Sequence, residues 1–418
     1  MLKMEKLGSQ RIFFSSKLAV VLANGFQIAA VASIVVFVSR FFGPSEAATL
    51  ARTQVLATLV TYIALGGFHL RISEQREWGG IVAASHTAFS VALRITFFSI
   101  IPLLAYQHVA DQSISVLAAI FWSLGMQLQV TVSYALIANG RNFDASLLRV
   151  VNATIFIVIM PIWWLGIMNF SEGVYTIAFT MACSNAFFFL ALVSRPNEKW
   201  TKRSYLLKRL SNHDFRYAVK NLLFVSTNNL NASLIFLIPG FMGSPDTLVL
   251  LFLASRALAA ILQAVGNPMS QWFVRTLESG RKGEYRYAQR VFARYSGYLF
   301  AVSILFIVAY FFVHTYGAQL LALNRGYYEE LPLLLLVSGV VQIVVSPLAV
   351  SIILAGKAHI LALVELGRFS ALMAVGFLMP SAGERLEVWF FAHTIFYLFT
   401  YAYTFFVLAS TKKNGEKF

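Results

Sequence analysis

The feature that most constrains this chain is a succession of apolar stretches, each 18 residues or longer, separated by short polar gaps. A helix that crosses a bilayer needs about 20 predominantly apolar residues, so each stretch predicts one transmembrane helix. The twelve predicted spans are residues 17–40, 47–70, 86–107, 114–138, 147–168, 173–194, 215–241, 247–271, 295–315, 332–354, 360–380 and 388–409. With 58% hydrophobic and 12% charged residues, the chain is neither a soluble enzyme nor a disordered one.

The basic residues fall almost entirely on one side of these spans. Of the 33 Lys and Arg residues, 26 lie in the gaps or at the span ends on one side, 3 lie on the other side and 4 lie deeper within spans, whereas the acidic residues show no such bias. Because basic gaps remain in the cytoplasm, both termini are predicted to be cytoplasmic. The net charge of +15 is therefore explained by the basic residues that fix the orientation in the membrane, and no nucleic-acid partner is predicted.

The longest gap is basic and amphipathic, and it divides the chain into two halves of six spans. The predicted parts are an N-terminal six-helix bundle at 1–196, a cytosolic linker at 197–214 and a C-terminal six-helix bundle at 215–418. The linker is predicted to lie on anionic lipid, which makes the bilayer itself a partner.

Two glycine turns recur in the same order and on the same side in both halves. Gly43 corresponds to Gly243 at an offset of 200, and Gly140 corresponds to Gly356 at an offset of 216. Because six spans is an even number, the two halves cross the membrane in the same sense, as a parallel repeat. The predicted fold class is therefore all-α, a polytopic membrane protein with about twelve transmembrane helices in two six-helix bundles.

Three motifs carry a resemblance to a known transporter family. They are Ser39-Arg40-Phe41-Phe42-Gly43-Pro44, then Asn228-Asn229-Leu230-Asn231 leading to Gly243, then Pro245-Asp246 followed by Arg256. The chain resembles the oligosaccharide flippases of the superfamily that also contains multidrug exporters and bacterial polysaccharide exporters, and the O-antigen branch is the most similar. It departs from that family at Asn231, where many members carry an acid.

The resemblance implies a flippase that moves undecaprenyl-diphosphate-linked oligosaccharide across the bacterial inner membrane by alternating access between two bundles. It implies a role in O-antigen and lipopolysaccharide biosynthesis, with polysaccharide polymerase machinery as a further partner. A multidrug or small-molecule exporter of the same superfamily is one alternative. A many-span O-antigen polymerase or ligase is the other.

The sequence contains no arrangement typical of an enzyme. The Gly-Lys pair at Gly356 is followed by Ala358 and forms no nucleotide-binding P-loop. The seven histidines lack metal-ligand spacing, and the single cysteine, Cys183, lies in an apolar stretch. We therefore predict no catalytic residues, no metal and no cofactor.

Charged residues inside the spans are the main candidates for function, because an arginine at mid-membrane costs about 2.5–3.5 kcal/mol on insertion scales. Arg52, Arg256 and Arg94 are predicted to meet a pyrophosphate or an acidic sugar, which suits the guanidinium group. Snorkelling or structural pairing is the alternative for each, and is favoured for Arg94. The uncharged candidates, suited to sugar hydroxyls or to helix–helix hydrogen bonds, are Asn24, Gln27, Asn228, Asn229 and Asn231.

Glu365 is the only acidic residue inside a predicted span. The repeat places Arg149 at the equivalent position, since 365 − 149 = 216. Glu365 could pair with Arg368 one helical turn later. Alternatively it could be a protonatable coupling site or the counter-ion of a cavity arginine. The coupling candidates are Glu365, Arg149 and Arg368.

Overall fold

The computed structural model shows a chain whose regular secondary structure is helical throughout the part that it describes. The described residues are 2–66, 68, 72, 77–110, 115–193, 230–231, 233, 236–237, 245–266, 269–270, 272–273, 276–277, 285–321, 333–354, 357–379 and 382–411. Two compact units divide the chain, Met1–Asn229 and Leu230–Phe418.

The N-terminal unit contains six long helices. They are α1 Leu2–Phe41, α2 Pro44–Leu65, α3 Trp78–Ala110, α4 Val116–Ala138, α5 Asn142–Trp164 and α6 Phe170–Val193. Helix α4 packs against α2, α3, α5 and α6, while α1 packs against α2 and α5. The most buried helix pair, α2 and α4, therefore forms the centre of this unit.

The C-terminal unit contains five further long helices within the described ranges. They are α7 Pro245–Ile261, which continues as a π-helical turn at Leu262–Gly266, α8 Tyr285–Leu321, α9 Leu333–Leu354, α10 Ala358–Leu378 and α11 Ala382–Thr411. Helix α9 packs against α8 and α11, and α10 packs mainly against α11. Phe273, Phe292, Leu299 and Leu408 form a buried core among these elements.

The chain is a multi-pass membrane protein of the all-α class, as the apolar stretches predict. Within the described ranges, nine helices are long and apolar enough to cross a membrane. The seventh predicted span, 215–241, falls outside the described residues except for a few helical positions around Asn231, and the linker at 197–214 lies outside them altogether.

Several helices are longer than the predicted spans. Helix α3 begins at Trp78 rather than at residue 86, and α8 begins at Tyr285 rather than at residue 295. The prediction located only the apolar part of each helix, whereas backbone hydrogen bonding continues through adjoining polar residues. A helix of 37 residues, such as α8, is about 55 Å long at 1.5 Å per residue.

Two turns of the N-terminal unit follow the glycine pattern of the sequence, whereas Gly243 and Gly356 lie outside the described residues. Gly43 has φ 110° between α1 and α2, and Gly140 has φ 74° between α4 and α5, a backbone region that favours glycine. Arg141 and Lys357 then occupy the N-cap positions of α5 and α10. These two helices begin at residues 142 and 358, and 358 − 142 = 216, the offset found between the turns in the sequence.

Candidate functional site

A buried ion pair lies inside the C-terminal unit, on α10. The Arg368 guanidinium contacts the Glu365 carboxylate at 2.5 Å, and the two residues are only 2% and 6% exposed. Asn231 donates from Nδ2 to Glu365 Oε2 at 2.8 Å and to the Glu365 backbone carbonyl at 2.9 Å. The pairing of Glu365 with Arg368, which the one-turn spacing favours, is therefore present, with Asn231 as a third member.

Helix α11 closes this cluster from another side. The Arg368 guanidinium lies 5.0 Å from the centre of the Tyr397 ring, and the Tyr397 hydroxyl is hydrogen-bonded to Arg368 and to Ser346 of α9. His393 is buried one turn before Tyr397, with their ring centres 5.0 Å apart. The cluster thus joins α9, α10, α11 and the segment around Asn231 through one carboxylate and one guanidinium of opposite charge.

The N-terminal unit places Arg149 at the equivalent position of α5. Arg149 is half-buried and interacts electrostatically with Tyr134 of α4, which in turn lies close to Tyr62 of α2. Its buried Nη1 has no hydrogen-bond partner. The two equivalent positions therefore differ both in the sign of their charge and in their pairing. Glu365 has a partner of opposite charge, whereas no described carboxylate lies within ion-pair distance of Arg149.

Arg52 lies on α2, eight residues after Pro44 and therefore about 12 Å along the helix from that end. It is half-buried and interacts electrostatically with the Tyr106 hydroxyl of α3. The buried Nε has no hydrogen-bond partner. Of the described carboxylates, none is within ion-pair distance of this guanidinium.

The other two arginine candidates have different surroundings. The Arg256 guanidinium of α7 stacks over the Phe252 ring, 4.5 Å from its centre, and the side chain is half-buried. Arg94 of α3 is exposed, and the exposed side chains one turn further along are Phe97 and Phe98. An arginine on such an apolar stripe fits the snorkelling alternative.

Among the uncharged candidates, the structure shows a helix–helix hydrogen bond for Gln27. Its amide and that of Gln129 exchange two hydrogen bonds, of 3.1 and 2.7 Å, between α1 and α4. Asn24 is half-buried one turn earlier on α1. Asn228 and Asn229 lie outside the described residues.

Further buried polar residues were missed by the sequence analysis. The Gln127 amide donates to Thr96 at 2.6 Å and to Ser123 at 2.9 Å, and Ser123 is hydrogen-bonded to Thr61. Gln54 is 2% exposed, and neither amide atom has a hydrogen-bond partner. A search for charges overlooks these uncharged groups, although α2, where Gln54 and Thr61 lie, has the lowest mean hydropathy of the nine candidate spans in the described ranges and could have indicated them.

The aromatic run of α11 has two distinct faces. Phe391, Phe399 and Phe406 are exposed, on a face that suits contact with lipid. Trp389 and Tyr397 are instead buried, and Tyr397 belongs to the Glu365 cluster. One face of α11 therefore contributes to the polar interior of its unit.

Solved structures match the chain over nearly its whole length, although no protein-family model and no curated protein matches it. The inward-facing conformation of a multidrug resistance MATE family transporter of the MOP superfamily gives a TM-score of 0.62 at 13% identity, covering 93% of this chain and 96% of that one. The outward-facing conformation of such a transporter gives a TM-score of 0.63 at 14% identity, covering 95% of each chain. The eukaryotic MATE transporter AtDTX14 gives 0.57 at 13% identity, covering 97% of this chain and 98% of that one.

At such low identity these likenesses establish the fold alone. The chain has the fold of MATE transporters, a multi-pass fold whose matched examples are transporters and not enzymes. The sequence resemblance to the superfamily of exporters and flippases agrees with this result, whereas none of these three structures is an O-antigen flippase.

Proposed function

We propose that this chain is a transporter that moves a lipid-linked, diphosphate-bearing oligosaccharide across the membrane by alternating access. The observation that carries the proposal is the pair of half-buried arginines Arg52 and Arg149. Each has a buried nitrogen without a hydrogen-bond partner, and neither has a described carboxylate nearby. An intramembrane arginine without a counter-ion is costly, and such residues often mark the pathway of a charged cargo.

The arrangement of acidic groups supports an anionic cargo over a cationic one. A cation exporter needs an intramembrane carboxylate that its cargo can reach. Glu365 is instead enclosed by Arg368 and Asn231 and is only 6% exposed. A diphosphate can accept hydrogen bonds from both edges of a guanidinium, which makes Arg52 and Arg149 suitable positions for its recognition.

A multidrug or small-molecule exporter is the second candidate, and the structural comparisons favour it. The matched structures include one of the MATE multidrug transporter DinF-BH, at a TM-score of 0.61 and 13% identity. A shared fold supports many functions, so the cargo has to be decided by the residues of the site.

A deletion strain of the source organism separates the two candidates. If the proposal holds, a lipid-linked glycan accumulates on the cytosolic leaflet, and expression of the wild-type protein restores its export. Normal glycan export together with increased sensitivity to organic cations would refute the flippase and support the multidrug exporter.

Arginine variants test the cargo charge in the same strain. We expect Arg52→Gln to lose most export and Arg52→Lys to recover part of it, because lysine keeps the charge but not the paired hydrogen bonds. Arg94→Gln is the comparison and should retain export, since its side chain is exposed among apolar neighbours. Immunoblots of membranes must show equal amounts of each variant. Full export by Arg52→Gln would exclude this arginine from cargo binding.

A further inference from the structure

A pocket of about 250 Å³ opens at one end of the N-terminal unit. It lies where α2, α4 and α6 begin, next to the turn at Gly43 that joins α1 to α2. The distribution of basic residues predicts that this end faces the outside of the cell. The pocket is separate from Arg149 and from the Glu365 cluster, neither of which lines it.

The lining combines hydroxyl groups and one carboxylate with apolar surface from an aromatic ring and from Val174. The hydroxyl groups belong to Ser45, Thr49, Thr53, Ser115 and Ser171. Glu46 provides the carboxylate and Phe170 the ring. Thr53 is only 1% exposed, so it forms the closed end of the pocket, while Ser45 and Ser171 are exposed at its mouth.

The hydrogen bonds already made by these hydroxyls determine what remains for a ligand. Thr53 and Ser171 each donate their proton inside the protein, to Thr49 O and Asn169 Oδ1 respectively. Their oxygens can therefore act only as acceptors toward a ligand, and the carboxylate of Glu46 is an acceptor as well. A ligand that fits this pocket must bring several hydrogen-bond donors.

One of the pocket hydroxyls can also donate a hydrogen bond to a ligand. The oxygen of Ser115 accepts from the Ala118 amide, which leaves the Ser115 proton available to a ligand. The ligand must therefore offer at least one acceptor too. A sugar hydroxyl both donates and accepts, whereas a phosphate oxygen only accepts and would meet the Glu46 carboxylate.

The charge balance favours a neutral ligand. The N-termini of α2, α4 and α6 together contribute roughly +1.5 elementary charges, at about half a charge per helix end. The carboxylates of Glu46 and Glu172 in the first turns of α2 and α6 offset that charge. Neither a bare cation nor an anion gains much net attraction from this end of the unit.

The shape of the pocket limits the ligand to a single ring. Its volume is below the roughly 300–1,000 Å³ typical of pockets for drug-sized ligands. The Phe170 ring is held in place by stacking on Trp163, with ring centres 6.1 Å apart, and it offers a flat apolar wall. A pyranose ring presents a flat C–H face to such a wall and hydroxyls around its edge.

We propose that this pocket binds one neutral sugar ring and is an outer-face subsite for the glycan cargo. The proposal rests on the proposed flippase function for its biological ligand. The pocket residues themselves require only a polyhydroxylated ring, which allows the two ideas to be tested separately.

The test measures protection of a cysteine at the mouth of the pocket. Ser171→Cys is made in a Cys183→Ala background of the full chain, purified in detergent, and its rate of maleimide labelling is followed. The probes are glucose, galactose, mannose, rhamnose, N-acetylglucosamine and N-acetylgalactosamine at millimolar concentration, with tetraphenylphosphonium as an organic cation. Ser45→Cys repeats the measurement from the opposite wall, in case Ser171→Cys disturbs the start of α6.

We expect at least one sugar to slow labelling at both positions several-fold. The effect should weaken in Glu46→Gln, because one of the two acceptor oxygens is replaced by a donor, and persist unchanged in Glu172→Gln. The matched control is informative because Glu172 caps α6 through the Asn169 amide and does not line the pocket, and glutamine can also cap. A cysteine at Asn139, in the exposed turn between α4 and α5, should label at the same rate with and without sugar.

Three outcomes would overturn the pocket proposal: no sugar protects, the organic cation protects instead, or Asn139→Cys is protected equally. If no sugar protects the cysteines but glycan export still depends on the protein, the pocket proposal is refuted and the flippase proposal stands. If a sugar protects the cysteines but glycan export does not depend on the protein, the flippase proposal is refuted and the pocket proposal stands.

Discussion

At the scale of single residues, the enclosed ion pair of Glu365 and Arg368 bears on whether the carboxylate is a coupling site or a structural counter-ion. A coupling carboxylate must exchange protons or ions with water, and Glu365 is held by two partners with little exposure. A structural counter-ion must instead stay charged, because Arg368 is fully enclosed beside Tyr397. The geometry favours the structural role, and mutation can separate the two.

Replacing Glu365 with Gln should destabilise the protein, because it leaves the buried Arg368 without a counter-ion. Breaking a buried ion pair in this way costs about 3–5 kcal/mol. Thermal unfolding of the detergent-purified variant measures the loss. The double variant Glu365→Gln/Arg368→Met should recover much of it, since the stranded charge is removed together with its partner.

Export assays on the same variants complete the test. A coupling role requires that Glu365→Gln abolish transport even where the protein remains folded. Stability equal to that of the wild type in Glu365→Gln, together with lost export, would reverse the interpretation in favour of coupling.

The Gln27–Gln129 pair offers a second residue-scale prediction. Because each amide both donates to and accepts from the other, either single change to Ala should strand the remaining amide. A double-mutant cycle on unfolding temperature should give a coupling energy of about 0.6–1.7 kcal/mol, the range found for polar pairs between membrane helices. Additive losses would mean that Gln27 acts elsewhere, as a cargo-binding role would require.

The sequence predicted only part of the cluster around Glu365. The Glu365–Arg368 contact follows from a spacing of three on one helix, which is local information. Asn231 and Tyr397 meet the same carboxylate and guanidinium from other helices, and only packing between helices brings them there. The charges were therefore predictable, whereas their uncharged partners were not.

At the scale of helices, Gly125 brings α4 and α6 into close contact. A Cβ at this position would lie 3.1 Å from the Ala182 backbone nitrogen, and backbone cannot move aside as a flexible side chain can. Small residues at such crossings allow two membrane helices to approach each other closely.

Gly125→Ala should therefore destabilise the N-terminal unit by about 1–3 kcal/mol, the usual cost of adding a methyl group to a packed interior. Gly297→Ala on α8 is the matched control, since nothing lies within 4 Å of its Cβ position. Alanine favours a helix by up to about 1 kcal/mol over glycine, so the control should be neutral or slightly more stable. Equal unfolding temperatures for both variants would show that α4 and α6 are not tightly packed at Gly125.

Helix ends are the elements that the sequence predicted least well. An apolar stretch shows where a chain can lie in hydrocarbon, and a helix can continue past it into water. The first part of α8, which contains Arg286 and Arg290, is of this kind. The turns were predicted better, because the positive φ angles of Gly43 and Gly140 impose a residue type that the sequence displays.

At the scale of the whole molecule, the orientation in the membrane is the prediction with the widest consequences. In a Cys183→Ala background, Ser45→Cys should react with an impermeant maleimide in intact cells, because Ser45 lies at the start of α2, next to the Gly43 turn that is predicted to face outside. Asn139→Cys, in the α4–α5 turn, should react only after lysis. Both positions are exposed, so differences in labelling report sidedness. The reverse pattern would invert the topology and place the sugar pocket in the cytosol.

The overall architecture was predictable because membrane helices are set by length, apolarity and the location of charges. The cargo was not, because the same fold accommodates different cargoes according to a few side chains. We propose Arg52 and Arg149 as such side chains, and their lack of described acidic partners became visible only in three dimensions.

The opposite charges at the matched positions Arg149 and Glu365 have a consequence for the history of the molecule. If a gene duplication produced the two halves, its ancestor was a shorter chain acting as a pair of identical subunits. Identical subunits carry the same residue at both positions, so no single ancestral gene could have encoded arginine at one and glutamate at the other. The difference could arise only after the duplication, once the two copies could diverge. We therefore expect a half-length relative that pairs with an identical subunit to lack this asymmetry.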